Sequence, residues 1–274
     1  MHKLLDEMCG LAVQLATEAG EIAMARLESR TVAHKADESV VTDADHQIQA
    51  HILSAIGRRY PDHAVCAEET VALPGAHACV TDARYVWVID PLDGTRNYVA
   101  GFPVFATAIG VLDKGSPVVG VVREHGRGDL YSAKVGGGAV RNGEPIRIRD
   151  QIEGADLLLG FASSKDVLTV NVIRHWAAMP RYVLRNTGST AAQLALVAVG
   201  ALAGAFARRV KLWDVAPASL LVLEAGGKIT DPSGKPLVPF AVGGDPAANV
   251  PYVAGAPAIH DQLLASIRAA NDAP

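Results

Sequence analysis

An apolar run, Tyr85-Val86-Trp87-Val88-Ile89, stops at two carboxylates, Asp90 and Asp93, with Pro91 and Leu92 between them and Gly94-Thr95 directly after. The run reads as a buried strand. A buried strand that carries two acids to its C-terminal end and then turns through glycine packs poorly, because buried unpaired charge is costly. The chemistry is good if the acids receive a cation and the N–H groups of the turn receive an anion. A divalent metal and a phosphate satisfy both.

Helices and strands interleave on either side of this segment. Residues 3–28 carry helical periodicity, with Leu4, Leu5, Met8, Leu11, Leu15, Ala19 and Ile22 on one broad face. Residues 29–41 lose that pattern and read as a polar, mobile arm or hairpin. A second helix starts after Thr42 or Asp43, either a good N-cap, and runs to Arg59 before Pro61. Ala64–Ala67 is a short strand ending at Glu68 and Glu69. Beyond Ile89 a β-rich middle follows: Phe105–Leu112, Pro117–Arg123, Asp129–Ala133, then a hairpin around Asn142-Gly143. In the second half, strands at Leu157–Phe161, Tyr182–Arg185, Ala203–Ala207 and Lys228–Thr230 alternate with helices. Those helices are Val167–Ala178, Ala191–Val199, Trp213–Ala225 and Ala258–Ala269. This alternation predicts a layered α/β (α+β) architecture, with no Pro/Ser-rich linker. Residues 1–274 are read as one domain, with an N-terminal lobe of about 1–150 and a C-terminal lobe of about 151–274.

Composition narrows the function. Half of the 274 residues are hydrophobic and a fifth charged, as in an ordinary globular enzyme with a sizeable core. A net charge of -4 supplies no basic stripe, so no nucleic-acid polymer is expected as partner. No apolar run reaches a membrane span, and Leu194–Ala207 is short and glycine-broken. Asp6 and Glu7 sit where a signal peptide would be apolar, so the chain is expected to be cytoplasmic. The three cysteines, Cys9, Cys66 and Cys79, form no C-x-x-C pair, and their odd number fits a reducing compartment. Cys66, in A-V-C-A, is expected to be a buried, inert thiol.

Carboxylates stand at the edges of apolar elements at Asp43/Asp45, Glu68/Glu69, Asp90/Asp93 and Asp214. The chemical reason to gather carboxylates is a hard cation such as Mg²⁺, which takes oxygen ligands and completes its shell with water and phosphate. Two such ions clamp the attacking and leaving oxygens of a phosphoryl group. Asp90 is placed to bridge them, and Pro91 stiffens the backbone that presents the Leu92 carbonyl. Gly94-Thr95 opens a short helix whose N–H groups favour a phosphate. The Thr95 hydroxyl can hold the nucleophilic water, oriented by a carboxylate such as Asp45. Asp214 reads equally as a ligand or as a cap of the helix after Trp213, and Asp43/Asp45 by themselves read as cap acids. The D-x-x-D-G-T spacing is one residue longer than the D-x-D-G-T of aspartyl-nucleophile phosphatases. Water is therefore the nucleophile expected here. Gly136-Gly137-Gly138 lacks the P-loop pattern and reads as a tight turn.

W-V-I-D-P-L-D-G-T-R-N-Y, with A-E-E-T upstream and L-W-D-V-A-P-A-S downstream, resembles the inositol monophosphatase family over most of the chain. The resemblance implies a five-layered αβαβα sandwich, Mg²⁺-dependent and lithium-sensitive phosphomonoester hydrolysis, and a homodimer. It implies that Glu68, Asp90 and the Leu92 carbonyl hold one ion, that Asp90, Asp93 and Asp214 hold a second, and that Glu68 shares a looser third with Glu69 outside it. Thr95 with Asp45 resembles the pair that activates water, so Asp45, Thr95 and Glu68 are the catalytic candidates. The Gly94 and Thr95 amides resemble the phosphate cradle, Ser189 and Thr190 the substrate-lining segment, and Lys35 a lysine on the arm over the site. One departure bears on substrate. Where inositol-selective members carry a Glu, this chain has Ala207, followed by Arg208, Arg209 and Lys211. An acceptor lost and cations gained suggest a substrate with additional negative charge, contacted by Arg208, unless these cations form a solvated edge. Arg96 reads as a surface variation that also occurs in relatives acting on histidinol phosphate. The expected substrate is a small inositol monophosphate-like ester. Histidinol phosphate, fructose 1,6-bisphosphate and nucleotide 3′-phosphates are alternatives, and a non-catalytic metal- or partner-binding member is the rival of another class.

Overall fold

Among the described residues two large sheets form beside a two-stranded one, and helical layers enclose and separate the large pair. The computed structural model describes residues 2–35, 38–71, 83–148, 156–164, 166–241, 245 and 248–272. Cys79 and the lobe boundary expected near residue 150 lie outside the described residues. In chain order the elements begin α1 (His2–Arg26), β1 (Val32–His34), β2 (Val40–Thr42), α2 (Asp43–Arg59), β3 (Ala64–Ala67), α3 (Glu68–Val71), β4 (Tyr85–Asp93) and α4 (Thr95–Ala100). There follow β5 (Ala106–Asp113), β6 (Ser116–Glu124), β7 (Asp129–Lys134), β8 (Ala139–Arg141), β9 (Glu144–Ile146) and β10 (Leu157–Phe161). The chain continues with α5 (Val167–Ala177), β11 (Tyr182–Arg185), α6 (Thr190–Ala198) and β12 (Gly204–Ala207). It closes with α7 (Leu212–Glu224), β13 (Lys228–Thr230), β14 (Tyr252–Gly255) and α8 (Pro257–Asp272).

Strands β3 to β9 form a seven-stranded sheet in sequence order, parallel between β3 and β4 and antiparallel from there on. The five-stranded sheet has the order β11-β10-β12-β14-β13, parallel around β10 and antiparallel around β14. Helices α1 and α2 cover the outer face of the large sheet, and α5 and α8 that of the small one. Helices α6 and α7 lie between the sheets. The result is the expected αβαβα sandwich.

Each helix is patterned for its layer. Helix α1 buries a stripe that includes Leu5, Met8, Ala12, Leu15, Ala19 and Ala23. Helix α6, with a sheet on either side, is buried nearly all round, including Ala191, Ala192, Leu194, Ala195 and Val197. Helix α7 approaches the large sheet closely because Gly110 and Gly120 face it. A Cβ on Gly120 would stand 2.1 Å from the Pro217 carbonyl oxygen. Gly120→Ala is therefore expected to destabilise the fold by about 1–3 kcal/mol through overpacking, read as a lower urea midpoint at unchanged slope.

Three departures from the sequence reading stand out. Strand β4 does not stop at Ile89 but continues through both acids to Asp93. The arm at 29–41, by contrast, takes the hairpin form that the sequence allowed, with Val32 opposite Thr42 and His34 opposite Val40. Strand β14, buried on both faces between β12 and β13, lies in V-P-Y-V-A-G, a run too short to show a period. Cys66 is wholly buried as expected, yet it is disulfide-bonded and not a thiol, so the cysteine count no longer argues for a reducing compartment. Among the described residues no helix is long and apolar enough to cross a membrane.

Candidate active site

The end of β4 is built around a register shift. Asp90 pairs with Ala108 of β5 and Asp93 with Ala106, so three steps along β4 match two along β5. That extra residue is a β-bulge. In a regular strand, residues three apart point to opposite faces. The bulge restores parity and brings both carboxylates to one face. Side chains hold it in shape: the Leu92 N–H donates to Asp90 Oδ1 at 3.0 Å, and Thr107 Oγ1 donates to the Pro91 carbonyl at 2.7 Å. His125 Nε2 lies 3.0 Å from Thr107 Oγ1. Since the single Thr107 proton goes to Pro91, His125 must donate through Nε2, and its buried Nδ1 has no hydrogen-bond partner among the described residues. Burial, and then the nearby Arg123 charge, push His125 down to about 3 and keep it neutral.

Asp45 serves two structures at once. It is the third residue of α2, and its Oδ2 accepts from the Thr42 N–H at 2.7 Å and from Thr42 Oγ1 at 2.5 Å, a capping box. Its Oδ1 faces Thr95 Oγ1 at 3.2 Å, and that hydroxyl also reaches the Leu92 carbonyl at 2.9 Å. The cap reading and the site reading of Asp45 are therefore compatible. Asp45 is fully buried, and burial pushes it up to about 6 in spite of the Thr42 hydrogen bonds.

The remaining acids gather around Asp90. Glu68 opens α3 at the end of β3, the strand next to β4. Lys35, from the hairpin arm, pairs with Glu68 at 2.9 Å and with Glu69 at 2.6 Å. Burial opposes the Lys35 charge, but Glu68 and Glu69 outweigh it and raise the pKa. Burial and Glu68 push Glu69 up to about 7. Asp93 accepts from Ser189 Oγ and from the Ala191 N–H, both at 2.6 Å, at the start of α6. Asp214, third in α7, accepts from the Lys211 N–H at 2.8 Å and shares a hydrogen bond with Asp90.

This donor set fits a hard divalent cation. Burial, and then repulsion from Glu68, Asp93, Asp214 and Asp45, raise Asp90 well above the usual carboxylate range. Burial likewise raises Asp214 and takes Asp93 up to about 6. A hydrogen bond between two carboxyl groups needs a proton, which a cation replaces. Among the described residues, no group of three carboxylate, imidazole or thiol side chains is drawn together into a closed cage. Instead Lys35 engages Glu68 and Glu69, while Ser189 engages Asp93.

Beside the Gly94–Thr95 turn opens a cavity of about 450 Å³, with Arg96, Phe102, Phe161, Asn186, Ser189 and Thr190 in its walls. Gly94 adopts φ +85°, and a Cβ there would meet the Val104 carbonyl at 3.0 Å, so glycine is required. Asn97 ties the cavity together, donating to the Val104 carbonyl at 2.6 Å and the Thr187 carbonyl at 2.8 Å. The Arg208 cluster stands elsewhere. Arg208 pairs with Asp166 at the start of α5 at 3.0 Å, Lys211 Nζ reaches Asn249, and Ala207 is wholly buried in β12. None of the three is in the cavity wall. Asn97 belongs to the D-G-T-R-N motif, but its tie to Val104 and Thr187 arises only in the fold. Thr107 and His125 carried no local signal, because their role arises only from the pairing of β5 and β6 behind the bulge.

Residues 4–272 match the model of the Inositol monophosphatase family. Nus factor SuhB of Haemophilus influenzae is 34% identical over 237 residues, covering 83% of this chain and 86% of that protein. Inositol monophosphatase 1 of Bos taurus is 32% identical over 239 residues, covering 84% and 86%. Among solved structures, the Thermotoga maritima IMPase superposes with a TM-score of 0.83 at 27% identity, over 99% of both chains.

Proposed function

This chain belongs to the inositol monophosphatase family, a family of metal-dependent hydrolases of small phosphomonoesters, and on that premise we propose that it hydrolyses an inositol monophosphate-like ester with the residues gathered at the end of β4. Water adds to phosphorus, the bond to the alcohol oxygen breaks, that oxygen takes a proton, and phosphate leaves. In this reading Glu68, Asp90 and the Leu92 carbonyl hold one Mg²⁺, Asp90, Asp93 and Asp214 a second, and Glu68 with Glu69 nearby a third. When bound, the ions acidify water and offset charge on the phosphoryl and departing oxygens.

The chain's own groups do the positioning. Asp45, capped by Thr42 and pushed up to about 6, is suited to receive a proton near neutral pH through the Thr95 hydroxyl it already contacts. The Gly94 and Thr95 amides, at the turn that only glycine allows, face the phosphate. Ser189 Oγ and the Ala191 N–H aim Asp93, and Lys35 holds Glu68 and Glu69 in register. The observation that carries the reading is the Asp45–Thr95–Leu92 chain of contacts beside the bulge that turns Asp90 and Asp93 to one face.

The test is a panel of inositol monophosphate, histidinol phosphate, fructose 1,6-bisphosphate, a nucleoside 3′-phosphate and p-nitrophenyl phosphate, with Mg²⁺ and after chelation. Turnover that stops on chelation is expected, and turnover indifferent to it overturns the metal assignment. A partner-binding role draws support from the name Nus factor carried by bacterial relatives. No hydrolysis of any ester with Mg²⁺ bound would favour that role.

A further inference from the structure

The cavity beside the Gly94–Thr95 turn has an uneven chemistry. Most of its polar groups are already engaged. Asn97 donates to two carbonyls, Ser189 to Asp93, and the Gln193 amide to Tyr252 at 2.9 Å. Asn186 accepts from the Gly188 N–H at 3.0 Å and donates to Ser163. The Thr187 hydroxyl donates to the Ser189 carbonyl at 2.9 Å. Arg96 differs from all of these. It is exposed, lies in the wall, and its guanidinium makes no hydrogen bond or ion pair among the described residues. Among the described residues no carboxylate belongs to that wall. Two aromatic rings complete the picture: Phe161 is partly buried, and Phe102 is 50% exposed, a large apolar surface left open to water beside a polar site.

A free guanidinium in a wall without acids selects for an anion, and the fork geometry of arginine suits phosphate or carboxylate oxygens. The exposed rings favour an occupant with carbon surface to bury. Arg96 directly follows Thr95, so an ester held at Gly94–Thr95 would have this cavity beside it. Building on the phosphatase reading, we propose that this cavity is a recognition pocket for phosphomonoesters whose alcohol carries a second anionic group. Arg96 binds that group, and Phe102 and Phe161 cover the carbon skeleton. The negative charge suggested by the Arg208 cluster is then met at Arg96 instead, since Arg208 is engaged with Asp166.

Matched pairs test it, with kcat/KM measured in saturating Mg²⁺. Phenyl phosphate against 4-carboxyphenyl phosphate probes a carboxylate, and fructose 6-phosphate against fructose 1,6-bisphosphate probes a second phosphate. The wild-type protein is expected to favour the anionic member of at least one pair by about tenfold, the scale of a charge-assisted contact, chiefly through KM. The pair that shows the preference names the anion. Arg96→Gln is expected to bring that ratio to near unity, and Arg96→Lys to retain part of it. Turnover of the neutral members with no preference in either pair overturns this proposal and leaves the phosphatase reading standing. So does a preference that Arg96→Gln does not change. If that variant does not fold, the wild-type ratios and Arg96→Lys decide. No turnover of any of the four esters or of inositol monophosphate overturns the phosphatase reading itself.

Discussion

Asp90→Asn is expected to abolish Mg²⁺-dependent hydrolysis, by about three orders of magnitude or more, while making the metal-free protein more stable. The loss follows from the role proposed for Asp90 as the acid shared between two ions, whose contribution to the barrier is several kcal/mol. The gain follows from burial. Asp90 is 2% exposed, and desolvation followed by four neighbouring acids opposes its charge. Asn has nearly the same shape, can still accept from the Leu92 N–H, and carries no charge.

The same electrostatics predicts a pH dependence. Asp45 and Asp93 are pushed up to about 6 and Glu69 to about 7. Between about pH 4 and 7 the folded protein therefore holds more protons than the unfolded chain. Stability contributed by these groups is full below the unfolded values and falls as pH rises through the folded ones. Metal-free protein should melt lower at pH 7.5 than at pH 5, and Mg²⁺ should restore most of the difference. Scanning calorimetry with EDTA or with Mg²⁺ reads both effects. A pH-independent melting temperature, together with an Asp90→Asn variant less stable than wild type, would sink this account of the buried acids.

Thr95→Ala should lower kcat by about 10²–10⁴ with Mg²⁺ affinity little changed, the range for loss of a positioned proton-transfer group. Its hydroxyl links Asp45 Oδ1 to the Leu92 carbonyl, and neither contact has a substitute in the described structure. Thr95→Ser keeps the oxygen and should recover most of the rate. Asp45→Asn should resemble Thr95→Ala, and the double variant should cost little more than either alone, because the two act as a unit. Stopped-flow kinetics with titrated Mg²⁺ separates this from a ligand defect. A Thr95→Ala rate within tenfold of wild type would remove Thr95 from the chemistry.

Much of the architecture was legible because it rests on periodicity. The stripe of α1, the β-rich middle and the strand–helix alternation after Leu157 all follow from where apolar residues recur. Strand β14 was not legible, since its four buried residues, Tyr252 to Gly255, follow a proline and show no polar alternation. The acids of the site were legible as strand-end and helix-start carboxylates that packing alone would not select. The cavity was not. Arg96 reads as surface in a linear sequence, and Phe102 and Phe161 are separated from each other by the whole β-rich middle. The cations after Ala207 drew attention for their charge, yet the fold sends Arg208 to Asp166.

The D-P-L-D-G-T segment shows where the two kinds of information divide. By itself the sequence determined that two acids end a buried strand, that water and not Asp90 is the expected nucleophile, and that a glycine turn follows. These depend on residue type and spacing along the chain. Only the tertiary structure decided that Asp90 and Asp93 share a face, because that rests on the register of β4 against β5 and on the extra residue that the bulge absorbs. The bulge in turn depends on Thr107 and His125 behind it, brought there by strand pairing. Parity along a strand is a local property, but register is a property of the partner strand.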